Sequence, residues 1–184
     1  VPTGVALRDA PEQLLAAAER LLRTAGPTAL TSRNVTAESG VAKGVLHRYF
    51  GDFDAFLAEL VRRRIAGLPR PEPGGSVVPT VAAALTEVFD PVNLGLTTLV
   101  LSRDALRDRL REATPHGIPL LTEAAAALAD YLRAEPVRGD VDTLAMTLVG
   151  AGHLLFAGEP GAPPDASAVH EVVESVLLSA IPGT

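Results

Sequence analysis

The chain has 184 residues, of which 47% are hydrophobic and 21% charged, with no cysteine and a formal net charge of −6. That length and apolar content can fill one or two cores, which excludes a disordered or fibrous chain; the missing cysteines exclude a disulfide framework, a thiolate nucleophile and a Cys-based zinc site. The acidic total argues against a nucleic-acid partner only on average, because residues 1–68 carry Lys43 and eight arginines against seven acids, whereas residues 69–184 carry seven arginines against fifteen. The positive charge, with the only lysine of the chain, sits in the amino-terminal third.

Residues 9–25 read as a helix, with Asp9 as N-cap, Pro11 in the permissive first turn and Glu12 completing a capping-box-like pair. Leu14, Leu15, Ala18, Leu21, Leu22 and Ala25 recur at helical spacing, and the Gly26–Pro27 pair stops the pattern. The next stretch, 31–50, has the spacing of a helix-turn-helix. Thr31 can cap its first helix, Gly40 supplies the positive φ of the turn, and a second helix opens near Lys43. Leu46 and Phe50 share the inward face of that second helix. Lys43, Gly44, His47 and Arg48 lie on or beside the other face, where a DNA major groove would sit, with Tyr49 next to them. Thr31, Ser32 and Arg33, at the amino end of the preceding helix, are placed for phosphates.

The run GVAKGVLHRYF at 40–50, followed by a helix from Phe53, resembles the recognition segment of the TetR (tetracycline-repressor) family of bacterial transcriptional regulators. The amphipathic helix ahead of it and an all-helical remainder fit the same family. The specific resemblance covers about the first third of the chain. Ala42 stands where the family usually has serine, His47 and Tyr49 where it more often has tyrosine and histidine, and Phe53 where lysine is common. These departures remove hydroxyl and ammonium contacts to phosphate and imply lower nonspecific affinity.

A fourth helix is predicted over 53–66, with Arg62, Arg63 and Arg64 at a solvated carboxyl end, where cations suit the helix dipole. Residues 67–79 hold four prolines and three glycines and read as a boundary or mobile loop. Helical patterns follow at 81–89, 92–113 (one helix or two), 119–134, 141–157 and 166–181, punctuated by Pro91, Pro115, Pro136 and the Gly/Pro run from Gly158. No strand alternation and no internal repeat is present. The predicted fold is all-α: an amino-terminal helix-turn-helix DNA-binding domain at 1–52 and a larger helical regulatory domain at 53–184.

On the last two helices, Val141, Leu144, Ala145, Leu148, Val149, Gly152 and Phe156 form one stripe, and Val169, Val172, Val173, Val176, Leu177 and Ala180 another. Such stripes either finish the monomer's core or meet a second subunit. The family resemblance implies the latter, a homodimer paired through a four-helix bundle, and a helix-turn-helix also needs two recognition helices one turn of DNA apart. In the body, Arg103 interrupts the apolar line Leu96, Leu99, Val100, Leu106, Leu110. It either pairs with an acid such as Glu87 or anchors an acidic group of a ligand. Phe89, Asn93, Leu96, Thr97, Met146 and His153 complete the candidate ligand-binding set, a mostly apolar lining suited to a small apolar or weakly acidic effector.

His47, His116, His153 and His170 are isolated, and no metal-ligand or catalytic motif occurs, so neither a metal, a cofactor nor an enzyme is expected. No charge-free stretch of membrane-spanning length and no leader pattern is seen, which predicts a soluble cytoplasmic protein without a membrane partner. The resemblance implies a ligand-responsive repressor, released from a palindromic double-stranded DNA operator when the effector enters the body. The alternative is a small-molecule-binding or interaction protein with a weakened DNA reader.

Overall fold

The computed structural model describes residues 9–158, 163–178 and 180–181. Ten α-helices and one 3-10 turn, with no strand, make up the described residues: α1 (Ala10–Ala25), α2 (Ser32–Ser39), α3 (Val45–Phe50), α4 (Phe53–Ala66), α5 (Val77–Val88), α6 (Pro91–Ser102), α7 (Asp104–Leu110), α8 (Leu121–Ala134), α9 (Val141–Phe156) and α10 (Ala166–Leu177). The predicted break after Gly158 falls partly outside the described residues.

α1 buries Leu14, Leu15, Ala18 and Leu22 as its spacing requires, while Leu21 is half-buried and Ala25 exposed. Its start corrects one expectation. Asp9 holds the N-cap position with helical dihedrals and makes no side-chain cap, and Glu12 pairs with Arg63 of α4 instead of closing a capping box. A tertiary cation has taken the carboxylate that local capping would have used.

α5 begins at Val77, four residues before the pattern suggested, with Pro79 in its first turn, where the missing N–H has no helical partner to lose. The segment between α4 and α5 is therefore 67–76. It is tied to the body at two points: Leu68 is buried, and the Gly74 N–H donates to Glu135 Oε1 at 2.7 Å. The pattern at 92–113 resolves into α6 and α7, broken at Arg103, whose extended backbone (φ −124°, ψ 103°) both ends one helix and starts the next. α8 starts two residues late, after Leu120, which has φ +76°. The Glu123 side chain accepts the Leu120 N–H at 2.7 Å and stabilises that left-handed residue.

The two stripes of α9 and α10 face inward within the chain. Ala145, Leu148, Val149 and Phe156 of α9 and Val169, Val173 and Leu177 of α10 are all buried in the common core, where α10 packs on α5 and α9. Of the two readings left open by the pattern, core completion is what these buried residues do. Gly152 lets α9 close on Phe89, since a Cβ there would lie 2.6 Å from the ring. No single helix among the described residues is long and apolar enough to cross a membrane; α5 and α6 together have the composition but are bent by 62° and bury apolar side chains in the core.

Candidate DNA-binding interface

Thr31 caps α2 as its hydroxyl predicts, accepting the Asn34 N–H at 3.2 Å, and Gly40 closes that helix at φ +68°. The second helix starts later than expected. Gly44 has φ +93°, a conformation that interrupts helical hydrogen bonding, so Ala42, Lys43 and Gly44 form the turn and α3 begins at Val45. Lys43 thus stands on the turn instead of on the helix. Val35 and Leu46 point into the core at 0% and 1% exposure, and Phe50 meets Phe56 of α4 edge to face at 5.1 Å. These contacts fix the angle at which α3 is presented.

With the apolar faces turned in, Thr31, Arg33, Lys43, Gly44, His47, Arg48 and Tyr49 are exposed and Ser32 is half-buried. The structure therefore keeps all eight candidate DNA contacts at the surface, Thr31, Ser32 and Arg33 at the amino end of α2 and the other five on the turn and α3. The His47 Nδ1 faces the Gly51 carbonyl at 3.4 Å, a contact in which the ring nitrogen is the donor.

Ion pairing distinguishes this surface from most of the body, where Arg70 and Arg138 are the arginines without a carboxylate partner among the described residues. Arg103, Arg107, Arg109, Arg111 and Arg133 of the body each meet a carboxylate. Lys43, Arg33, Arg48 and the nearby Arg23 meet none among the described residues, and Arg20 is the cation of α1 that does, holding Glu38 of α2 at 2.8 Å. An acidic chain thereby keeps uncompensated positive charge where the helix-turn-helix is exposed.

No local motif announces how this reader is attached. Arg62 to Arg64 are a connection instead of a solvated end. Arg63 pairs with Glu12; Arg64 donates to Asp90 Oδ2 at 2.7 Å and to Asn93 Oδ1 at 2.8 Å; Arg62 reaches the Arg109 carbonyl at 3.2 Å. At the other end of α4, Asp52 pairs with Arg109 and Asp54 with Arg103 at 2.7 Å. Arg103 thus takes Asp54, not Glu87, and its guanidinium lies 5.8 Å over the Phe53 ring. The aromatic residue at 53 has become the platform for that pair.

Of the remaining ligand candidates, Phe89, Asn93, Leu96 and Thr97 are buried within the body. Asn93 and Thr97 are buried and hydrogen-bonded beside α4, and Leu96 is fully buried. Phe89 stacks on Phe156 at 5.4 Å with His153 at 5.9 Å, and the His153 Nδ1 is buried without a partner. Met146 is 65% exposed on the outer side of α9. No cluster of His, Cys, Asp or Glu among the described residues could hold a metal ion.

A short helix pair crossing at a glycine turn, its outer face cationic and its inner face fixed on a helical body, defines a helix-turn-helix DNA-binding protein. Residues 14–60 match the sequence profile described as bacterial regulatory proteins, tetR family. Comparison with functionally curated proteins gives no match. Among solved structures, a transcriptional regulator from Rhodococcus sp. Rha1 is 22% identical, with 94% of this chain and 99% of that one covered and a TM-score of 0.69. A TetR transcriptional regulator from Agrobacterium tumefaciens is 21% identical, covering 92% and 93%, with a TM-score of 0.63. The multidrug binding protein EbrR, complexed with imidazole, is 24% identical, covering 95% and 97%, with a TM-score of 0.61. At these identities the structural likeness is one of fold, shared with transcriptional regulators over nearly the whole chain, and the likeness to the tetR family in sequence lies in residues 14–60, the part that holds the helix-turn-helix.

Proposed function

We propose that the protein is a homodimeric cytoplasmic repressor that holds a palindromic operator and releases it when a small effector binds the helical body. The observation that carries this reading is the set of unpaired cations around the α2–α3 turn, with Lys43, His47 and Arg48 meeting DNA, Thr31, Ser32 and Arg33 on phosphates, and Gly44 and Tyr49 at the same face. The domain division follows function, with the reader ahead of residue 53 and the regulatory body after it. α4 belongs to both, since its two ends are ion-paired to α1, α6 and α7. A ligand that favours one position of α4 would change operator affinity by the difference in its own affinity for the two states. The ligand-bound state of the multidrug binding protein of similar fold is in keeping with a regulatory body that takes small molecules.

The test is a salt-dependent binding experiment on a palindromic duplex selected from random sequence, followed by ligand titration. Two chains per duplex, a steep salt slope and release by ligand are expected. Retention of ligand binding without any selected duplex would favour the alternative, a small-molecule-binding protein with a vestigial reader.

A further inference from the structure

Only Gly51 and Asp52 stand between the recognition helix α3 and the start of α4 at Phe53, so whatever fixes the first turn of α4 also fixes how α3 is presented. That turn is held by α7 and by the break ahead of it. The Nε and Nη2 atoms of Arg103 both lie 2.7 Å from Asp54 Oδ1. Arg109 pairs with Asp52 Oδ2, while Asp52 Oδ1 accepts the Ala55 N–H at 2.8 Å and caps α4. One carboxylate, just beyond α3, thus joins a helix start to the body.

A second connection runs through rings. The Arg103 guanidinium lies 5.8 Å over Phe53, Phe53 stacks on Phe56 at 5.8 Å, and the fully buried Phe56 meets Phe50 of α3 edge to face at 5.1 Å. Cation–π, stacked and edge contacts each favour one geometry, so the row passes orientation from the body to the inward face of the recognition helix. The acids themselves work against DNA. Asp52 and Asp54 put two carboxylates next to a helix whose outer face is cationic, where they repel phosphate. Their partners are arginines of the body, not the cations of the reader.

We propose that Arg103 and Arg109 are positioning residues for DNA recognition, clamping the first turn of α4 so that α3 enters the major groove at one angle. The inference rests on the DNA-reading assignment above and says which contacts of α4 set the reader. At its far end α4 is tied through Arg63 to α1 and through Arg64 to α6, a junction about which the helix can turn. The clamp removes that freedom at the end next to α3. Base contacts need donor and acceptor closely aligned, whereas phosphate contacts carry no sequence information, so the clamp acts on discrimination more than on nonspecific affinity.

The test measures binding of the full chain to the duplex that the parent selects and to a scrambled duplex, across a salt titration. Asp54→Asn is nearly isosteric and removes a negative charge, so electrostatics alone would tighten binding to both duplexes. The clamp gives the opposite sign: operator affinity falls about threefold or more, the size of one partly exposed ion pair, while affinity for the scrambled duplex does not fall. Asp52→Asn, which keeps the cap acceptor and releases Arg109, should act in the same sense. Arg103→Gln should weaken the operator complex without the loss of about one in salt slope that a phosphate contact would show. Exchanging the pair, Asp54→Arg with Arg103→Asp, should restore the operator-to-scrambled ratio lost in each of its single changes. If either asparagine variant binds the operator as well as the parent or better, its half of the clamp is overturned. A salt slope lowered by one in Arg103→Gln, or an exchanged pair no more selective than its single changes, overturns the role of Arg103. Should a larger change unfold the chain, the two asparagine variants decide. A parent that selects no duplex overturns the DNA reading itself and the clamp with it.

Discussion

Arg64 and Asp90 join the reader's helix to the body across 2.7 Å, and the same Asp90 caps α6 by accepting the Asn93 N–H at 2.7 Å. One carboxylate thus fixes a helix start and an ion pair whose side chains are only 23% and 27% exposed, with Asn93 completing the set through Arg64 Nε. Asp90→Ala removes both roles, whereas Asp90→Asn keeps the cap and loses the charge. Losses of about 2–3 and about 1 kcal/mol are expected in urea unfolding. If the alanine variant is no less stable than the asparagine variant, the cap contributes nothing.

Gly95 is a second junction between reader and body. A Cβ at this position of α6 would lie 2.8 Å from Leu22 Cδ2 of α1, so the glycine sets how closely α1 approaches. Gly95→Ala gains about 1 kcal/mol of helix propensity and loses a comparable amount in displacing Leu22, leaving stability near the parent's. Gly95→Val adds two more methyl groups and should cost about 1–3 kcal/mol. Equal stability of the valine variant would show that α1 moves freely over α6.

The exposed cations give a graded prediction for DNA. Lys43→Ala and Arg48→Ala should each lower the slope of log affinity against log salt by about one, or, for a base contact, cost about 1–3 kcal/mol at a single operator position. Arg20→Ala is the internal control, because Arg20 is committed to Glu38 and its loss should leave the slope alone. A Lys43→Ala protein indistinguishable from the parent across the salt titration would remove the turn from the interface.

Features decided within a few residues were legible in the sequence. Thr31, Gly40 and the bounds of α4 follow from local capping, glycine chemistry and helical spacing, and they stand as read. Features decided by partners far along the chain were not. Glu12 looked like a local cap until Arg63, 51 residues away, claimed it; Arg103 found Asp54, 49 residues away, instead of the acid expected. Gly44 carries a positive φ that its position inside a helical pattern did not announce. A groove opens between residues 65–73 and 123–131, a juxtaposition that no spacing rule encodes.

Two helix caps contribute to the acid sensitivity. The Thr143 hydroxyl lowers the pKa of Asp140 below the ordinary value of 3.8, and the Ser167 hydroxyl does the same for Asp165. A carboxyl depressed in the folded state contributes stability fully above its unfolded pKa and loses it as pH falls through the folded value. The contribution from these caps should therefore be intact above about pH 4 and fade only below it. Asp140→Asn keeps an acceptor at the cap and should flatten that part of the stability profile between pH 2 and 4, measured by urea unfolding. An unchanged profile would assign the acid sensitivity to other carboxylates.

In the proposed dimer, the surface of α9 open to a second subunit is the face opposite its buried stripe. Val173 is fully buried within the chain, so Val173→Glu would place an unpaired carboxylate in the core, at a cost of roughly 3–5 kcal/mol, and unfold the monomer before it tested any interface. Met146, Gly150 and Leu154 recur every four residues on the outer face of α9. Met146 is 65% and Leu154 80% exposed, and nothing stands within 4 Å of a Cβ at Gly150. An apolar line of this kind, with a glycine at its centre, is what two closely crossing helices require. Leu154→Glu should leave the melting temperature of the isolated fold almost unchanged and convert the dimer to monomer by light scattering at micromolar concentration. Gly150→Ala separates the possibilities further. On a free surface it should raise stability by about 0.5–1 kcal/mol through helix propensity, whereas at a crossing point it should weaken the dimer. A Leu154→Glu protein that remains dimeric, together with a Gly150→Ala protein that is simply more stable, would move the subunit interface away from α9.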